Sequence, residues 1–453
     1  MSVAMSNETE PHDPSPDPAP QPDDAPEQAR TWRSLLRGQA VDTRPLRIPE
    51  YKRLLIGQGT SFIGSMLTQV AVPVEVYAIT RSSLYVGFVG LAGLVPIVAF
   101  GLYGGAIADV VDRRRLYFGA SVITWVVTLA LLAQTLVGID GVWLILGLVA
   151  VQSAAFATSS SARGAIIPRI VPVDLVPAAN TLNFTVGNVG QVAGPLIAGL
   201  VIALPGPVSG FAYAYAIDAV LFTAALWSAL RLPPIPPDRD GPAKRPGMRE
   251  VLEGLVFIAK NPVLVMSFVV DIVAMVLAMP RALFPAVADD RFGGQVGPLY
   301  AAIAIGSVIA GLSSGWIGKV RRQGRALVVA IVGWGVAVAL SGLAHSLWLA
   351  VVLLAVAGAA DLVSAVYRQT ILQTYAPDEL RGRMQGVFTA VVAGGPRLGD
   401  VRAGATAAAT TATVSWVGGG IACAVVVLVV GLAVRSFWRY DAVADRPVVA
   451  DPA

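Results

Sequence analysis

Six ionisable side chains stand inside stretches that are otherwise apolar: Glu75, Asp218, Asp271, Asp361, Arg397 and Asp400. Arg163 and Arg368 sit at the inner ends of two more. A charge held near mid-membrane costs about 2.5–3.5 kcal/mol even on the mild insertion scale, so each needs a partner or a task. Any of the carboxylates can carry a proton from one side to the other or meet a cationic substrate. Each can equally be half of a structural ion pair, and Arg397 and Asp400, three apart, can neutralise one another along a helix. Asp271 falls nearest the middle of its stretch, Asp218 closer to the outside and Asp361 closer to the inside. Neutral polar residues in the same stretches (Gln58, Gln69, Gln152, Asn183, Asn188 and Gln191) suit a lined path. Enzyme chemistry has no comparable set. Cys423 is the single cysteine, and His12 and His345 are the two histidines. They supply no base–nucleophile–orienter group, no metal-ligand cluster and no intrachain disulfide. No Gly-x-x-x-x-Gly-Lys-Ser/Thr loop is present, so no nucleotide or other cofactor is expected and a proton gradient is the expected drive.

The elements that must position these residues are membrane helices. Of 453 residues only 14% are charged and 55% are apolar, with a mean hydropathy of +0.68. Too few polar groups remain to coat a water-soluble surface of that size. About twelve runs, from 54–78 to 414–434, are long enough to cross hydrocarbon. Most of the 33 Lys and Arg gather in alternate connections and in both tails, which places both termini in the cytoplasm. The expected fold is an all-α integral membrane protein with twelve transmembrane helices in two six-helix bundles. Residues 1–47, rich in Pro, Asp and Glu, read as a disordered cytoplasmic tail. The first bundle spans 48–232 and the second 263–437, with a second tail over 438–453. Between the bundles, 233–262 reads as a cytoplasmic linker, Pro-rich at first and ending in an amphipathic helix, 248–260. No basic, aromatic-interleaved patch suits nucleic acid.

The halves resemble one another. At an offset of 205, Arg163 aligns with Arg368, Pro172 with Pro377, Asp174 with Glu379 and Leu175 with Leu380. At 210, Gly105 and Ile107 align with Gly315 and Ile317. Parallel six-span repeats are a known transporter plan, with the substrate path between the repeats. The first of these turns, Gly105-Ala106-Ile107-Ala108-Asp109 through Arg113-Arg114-Arg115, joins two spans. Asp109 and Arg113 are four apart, so a helical turn places them on one side, where they can pair. The second turn has Lys319 where the first has Asp109, so only the first copy can carry an acidic latch. In span five, Gly190, Gly194 and Gly199 leave one helix face bare for another backbone, and Pro195 can kink the span.

Gly105 through Arg114 resembles the loop 2–3 signature of the Major Facilitator Superfamily, although Val110 and Asp112 depart from it. Gly190 through Gly199 resembles the antiporter motif of the same superfamily, departing at Ala198 and Thr181. Asp271 with its neighbours, Ala282-Leu283-Phe284-Pro285, Asp378 through Arg383 and Gly395 through Asp400 look like the bacterial branch of enterobactin exporters and macrolide-type efflux proteins. The resemblance implies an inner gate in which Asp109, with Gly105, Arg113 and Arg114, closes on the start of span eleven. Arg163, Asp174, Arg368 and Glu379 belong to the repeated inner-gate loops. It also implies secondary active export of a small molecule, a siderophore or hydrophobic drug, by proton antiport. The expected setting is the bacterial cytoplasmic membrane, the expected partners substrate and lipid bilayer, and the expected working unit a monomer. An uncoupled or importing facilitator of the same fold is the alternative, followed by a non-transporting scaffold or sensor.

Overall fold

Large apolar side chains lie on the outside of this molecule and several charged ones lie inside it. In the computed structural model, Leu312 and Leu200 are 87% and 73% exposed, whereas Asp271 and Arg368 are 3% and 4% exposed. Such inversion is what hydrocarbon solvent selects, because there lipid rather than water meets the outer face. The structure describes residues 42–204, 209–236, 256–375 and 381–441, with the backbone alone over 101–110, 381–383, 385–386 and 389–390. The tail 1–41, most of the linker with residues 248–255 of its expected helix, and Glu379 lie outside them.

The first six crossings are α1 (Pro49–Thr80), α2 (Ser83–Val110), α3 (Arg113–Val137), α4 (Val142–Ile170), α5 (Val176–Ile202) and α6 (Gly210–Leu230). Span seven is broken into α7 (Pro262–Leu277) and α8 (Phe284–Arg291). Then follow α9 (Gly297–Leu312), α10 (Gln323–Gly342), α11 (Leu347–Tyr375), α12 (Arg381–Ala409) and α13 (Ala412–Ala433), with a last turn, α14 (Arg435–Arg439). Ten segments are long and apolar enough to cross a bilayer; the short α9 and the more polar α12 complete twelve crossings. The protein is thus an all-α, twelve-span membrane protein. One end of the bundle carries Arg113–Arg115, Arg231, Lys260 and Lys319–Arg325; it is called the basic end below.

Helix ends follow local chemistry. Asp112 caps α3 by accepting from the Arg115 amide at 3.1 Å, and its other oxygen accepts from the Ile235 amide at 3.1 Å. Arg114 donates to the carbonyls of Ala229 and Leu230, the last residues of α6. A cation beside a helix C-terminus satisfies open carbonyls and the helix dipole together. The Pro-rich segment therefore starts anchored, with Ile235 buried, rather than as free linker. The second half repeats the device: Arg325 donates to Trp438 O in α14 and stacks its guanidinium over the Trp438 ring.

Two sequence expectations need correcting here. Residues 111–112 separate α2 from α3, so Asp109 and Arg113 do not share a helical turn. Arg113 is instead the buried first residue of α3, and Arg114 holds the end of α6; the side chain of Asp109 lies outside the description. Arg163 and Arg368 do not belong to loops or helix ends. They lie within α4 and α11, seven residues before Ile170 and before Tyr375, because both helices continue two turns beyond the arginines. Asp174 does sit in a connection, a short 3-10 turn over Val173–Leu175, and is exposed.

Candidate functional site

The break in span seven organises its surroundings. Pro280 and Pro285 cannot continue an α-helix, and six residues separate Leu277 from Phe284. Backbone freed at membrane depth must find protein partners. Arg402 of α12 gives all three: its Nε donates to Val276 O at 3.1 Å, Nη2 donates to Leu277 O, and Nη1 donates to Ser415 O at 3.2 Å. Asp400, two residues earlier on the same helix, accepts from the Ala282 amide at 3.2 Å. A cation meets the open carbonyls and an anion the open amide, each at the helix end it suits. Asp400 is thus occupied as a backbone cap. Replacing Arg402 with Gln should cost about 1.5–3 kcal/mol, the worth of charged hydrogen bonds, read as a lower unfolding temperature in detergent. Asp400→Asn keeps an accepting oxygen and should cost less.

Arg397 and Asp400 act on each other through space without a direct ion pair between their side chains. The Nη1 of Arg397 donates at 2.6 Å to Ala393 O of its own helix. The side chain lies against Gly93 of α2, where Ser153 of α4 also abuts. Gly87, Gly90 and Gly93 recur every three residues and form the stripe on which α12 rests: a Cβ at Gly87 would meet Asp400 O at 2.8 Å, and one at Gly90 would meet Arg397 O at 3.2 Å. That spacing of small residues was readable in span two and was missed.

Asp271 and Arg368 form a buried ion pair between α7 and α11, with both side chains 4% exposed. Asp361, 44% exposed, stands 3.8 Å from the same guanidinium. A narrow cleft bounded by Ser267, Phe268, Asp271, Arg368, Leu372 and Phe388 reaches the pair. Among the described residues the second carboxylate oxygen of Asp271 has no hydrogen-bond partner. A buried pair left incompletely satisfied is costly, and such sites are where ionisation can be coupled to shape. Asp361, not Asp271, marks the middle of its crossing: fourteen residues separate it from either end of α11. Asp271 lies five residues on the basic side of the middle of Pro262–Arg291.

Glu75 and Asp218 lie elsewhere. Glu75 accepts from Tyr215 Oη at 2.5 Å, Thr135 Oγ1 at 2.8 Å and Gln134 Nε2 at 3.0 Å. Asp218 accepts from Thr68 Oγ1 at 2.5 Å and Thr128 Oγ1 at 3.4 Å. Both networks knit α1, α3 and α6 together within the first six crossings. They hold packing, and neither joins the cluster formed by α7, α11 and α12.

The span-five glycines serve two neighbours. Gly190 and Gly194 seat Phe62 and Met66 of α1, and a Cβ at Gly199 would meet Gly297 Cα of α9 at 2.7 Å. Pro195 remains inside an unbroken α5, and its carbonyl lies close under Gly297. With Gly404 of α12 packed on Ser83, and Arg81 paired with Asp289 at 2.7 Å, these contacts join the two sets of six helices at the end opposite the basic one.

Residues 41–449 match the family model described as transmembrane secretion effector. The chain is 28% identical over 382 residues to the enterobactin exporter EntS of Shigella dysenteriae serotype 1, covering 81% of this chain and 87% of that one. The same figures hold for EntS of Escherichia coli O139:H28. Among solved structures, the nucleoside transporter NupG superposes with a TM-score of 0.69 at 13% identity, over 86% of this chain and 99% of that one. A bacterial homologue of the iron transporter ferroportin in an inward-facing state gives 0.63 at 13% identity, over 87% and 99%. At such identities these superpositions speak for the fold alone. Sequence family and fold agree: the chain belongs to the transmembrane secretion effectors of the Major Facilitator Superfamily, in the branch of the enterobactin exporters, and is a secondary transporter rather than an enzyme.

Proposed function

We propose that this protein exports a small molecule across the bacterial cytoplasmic membrane in exchange for protons. The basic end is the cytoplasmic one, by the bias of Lys and Arg. The single observation that carries the coupling is the buried Asp271–Arg368 pair, with an acid, Asp361, beside it and an open oxygen on Asp271. With the far-end contacts made, the cluster is closed off from outside and its ionised pair corresponds to a proton already released inward. When the two six-helix halves rock to open the far end, Asp271 takes a proton, its hold on Arg368 weakens, and the return movement becomes favourable. Alternating access of this kind needs two packings of similar free energy.

The EntS relatives are enterobactin exporters by name, which makes a siderophore the first cargo to test and a hydrophobic drug the second. In proteoliposomes loaded with a pH-sensitive dye, adding either cargo should move protons in the wild-type chain. Asp271→Asn should abolish that movement while leaving membrane insertion intact. Proton movement unchanged by Asp271→Asn, or none with either cargo class, sinks the antiport reading.

A further inference from the structure

The second half carries more arginine at its basic end than its own packing uses. α10 and α13 cross the bilayer side by side: a Cβ at Gly335 would meet Gly420 O at 2.8 Å, and one at Gly431 would meet Val328 Cγ2 at 2.7 Å. At the basic end the two helices meet through α14. Gly324, the second residue of α10, has room for no side chain, because Phe437 O and Tyr440 Cβ lie over it. Arg325 reaches Trp438, with its Nε donating to Trp438 O at 3.3 Å and its guanidinium 5.3 Å from the ring centroid. Arg321 pairs with Asp441 at 3.5 Å. α14 buries Phe437 and turns Arg435 and Arg439, four apart on one face, outward.

These contacts gather Arg321, Arg322, Arg325, Arg435 and Arg439 at one corner and bring one acid, Asp441, with them. Among the described residues, Arg322, Arg435 and Arg439 are exposed and their side chains enter no hydrogen bond or ion pair. In the first half the equivalent charge is used: Arg113 is buried at the start of α3, and Arg114 donates to the carbonyls that end α6. Topology asks for positive charge at this end but not for its clustering. Below the corner the surface faces hydrocarbon, with Val329 of α10 and Val429 and Leu432 of α13 exposed. Further along the same seam, Val336, Leu340, Ile421 and Val425 help to line an apolar groove of about 350 Å³. Its near edge, Val425, is ten residues from Arg435. At 1.5 Å per residue that is about 15 Å, half the thickness of the hydrocarbon. An acyl chain starting at the corner therefore runs over Leu432 and Val429 and ends at the groove. A soluble anion has no use for such a track.

We infer that this corner binds the phosphate headgroup of an anionic phospholipid in the leaflet at the basic end, between the start of α10 and α14. The inference goes beyond the transport reading and holds whatever the cargo. Planar guanidinium forks match phosphate oxygens in pairs, and basic pockets between membrane helices suit anionic headgroups. Trp438, half-buried beside Arg325, sets an amphipathic ring at headgroup level. Five guanidiniums against one carboxylate also repel one another, so an arriving phosphate relieves a cost as well as making bonds. Once bound, it ties α14 to the start of α10.

The test counts bound lipid by native mass spectrometry of the full chain in detergent. The titrants are dioleoylphosphatidylglycerol, an anion, and dioleoylphosphatidylcholine, a zwitterion with the same chains. Wild type should bind phosphatidylglycerol about tenfold more tightly, or better. The double variant Arg435→Gln/Arg439→Gln should weaken that binding about twenty-five-fold, roughly fivefold for each charge, and leave phosphatidylcholine unmoved. Arg435→Lys/Arg439→Lys, which retains the charge, should keep most of the affinity and shows that a loss in the Gln variant is not misfolding. Arg115→Gln/Arg231→Gln removes equal charge from exposed positions at the basic end of the first half and should change nothing. Glycerol phosphate, the same phosphate without chains, should not compete. Equal affinity for the two lipids, or phosphatidylglycerol binding unmoved by Arg435→Gln/Arg439→Gln, overturns the inference. Equal weakening by the first-half variant overturns it in favour of bulk charge, and displacement by glycerol phosphate in favour of a soluble anion.

Discussion

Replacing Arg368 with Met should destabilise the protein by about 3–5 kcal/mol, because it strands Asp271 in the interior without its cation. Both side chains are 4% exposed, so water cannot substitute for the lost partner. Asp361, also acidic and 3.8 Å from the guanidinium, loses a cation at the same moment. Met fills much of the volume of the arginine stem, so the loss should be chiefly electrostatic rather than a cavity. That attribution can be separated by a cycle: Asp271→Asn in the Arg368→Met background should recover most of the stability, since it removes the stranded charge. Thermal unfolding in detergent reads both. An Arg368→Met chain as stable as wild type would mean that the pair does not hold α7 against α11. Failure of Asp271→Asn to rescue would assign the loss to packing.

Gly297→Val should open the far end. A Cβ there would meet Pro195 O at 2.6 Å and Gly199 Cα at 2.9 Å, and both are backbone atoms that no rotamer change can move aside. The contact can be relieved only by separating α5 from α9, the movement that outward opening requires. Overpacking costs about 1–3 kcal/mol, enough to shift a two-state balance about fivefold to a hundredfold. Gly199→Ala presses on the same contact from the other side and should shift the balance in the same direction. Ser83, buried beneath Gly404, reports the state. In a Cys423→Ser background, Ser83→Cys should react with an impermeant maleimide faster when Gly297→Val is present. Unchanged labelling would show that the Gly199–Gly297 contact does not control closure.

Spans and charged turns were legible because each follows from a short window of sequence: hydropathy over some twenty residues, or a run of Arg. Partners across the fold were not. Asp271 and Arg368 are 97 residues apart in the chain, and nothing local says that α11 runs seven residues past Arg368 and brings it to Asp271. Span seven was expected, like the other apolar runs, as one unbroken crossing. Pro280 and Pro285 could have signalled its break, which puts Arg281 in a short 3-10 turn rather than in a helix. Glu75 and Asp218 looked like transport groups because a lone carboxylate in an apolar run is alarming. Their hydroxyl and amide partners lie on helices far away in sequence. Arg397 and Asp400 satisfied a spacing rule for pairing, but Asp400 is drawn away by an open amide at the break. The span-five glycines did receive neighbouring helices as their spacing suggested, although two different helices share them.

Transport by this chain depends on one coupling, between the charge on Asp271 and the opening of the far end. Spin labels at Asp140→Cys and Ser346→Cys, exposed on far-end connections of the two halves, measure that opening when Cys423 is replaced by Ser. Double electron–electron resonance should give two distances whose proportions change with pH in the otherwise wild-type chain. In Asp271→Asn, a fixed neutral side chain, the proportions should no longer follow pH. A pH response that persists undiminished in Asp271→Asn, or a single distance at every pH, would contradict the account.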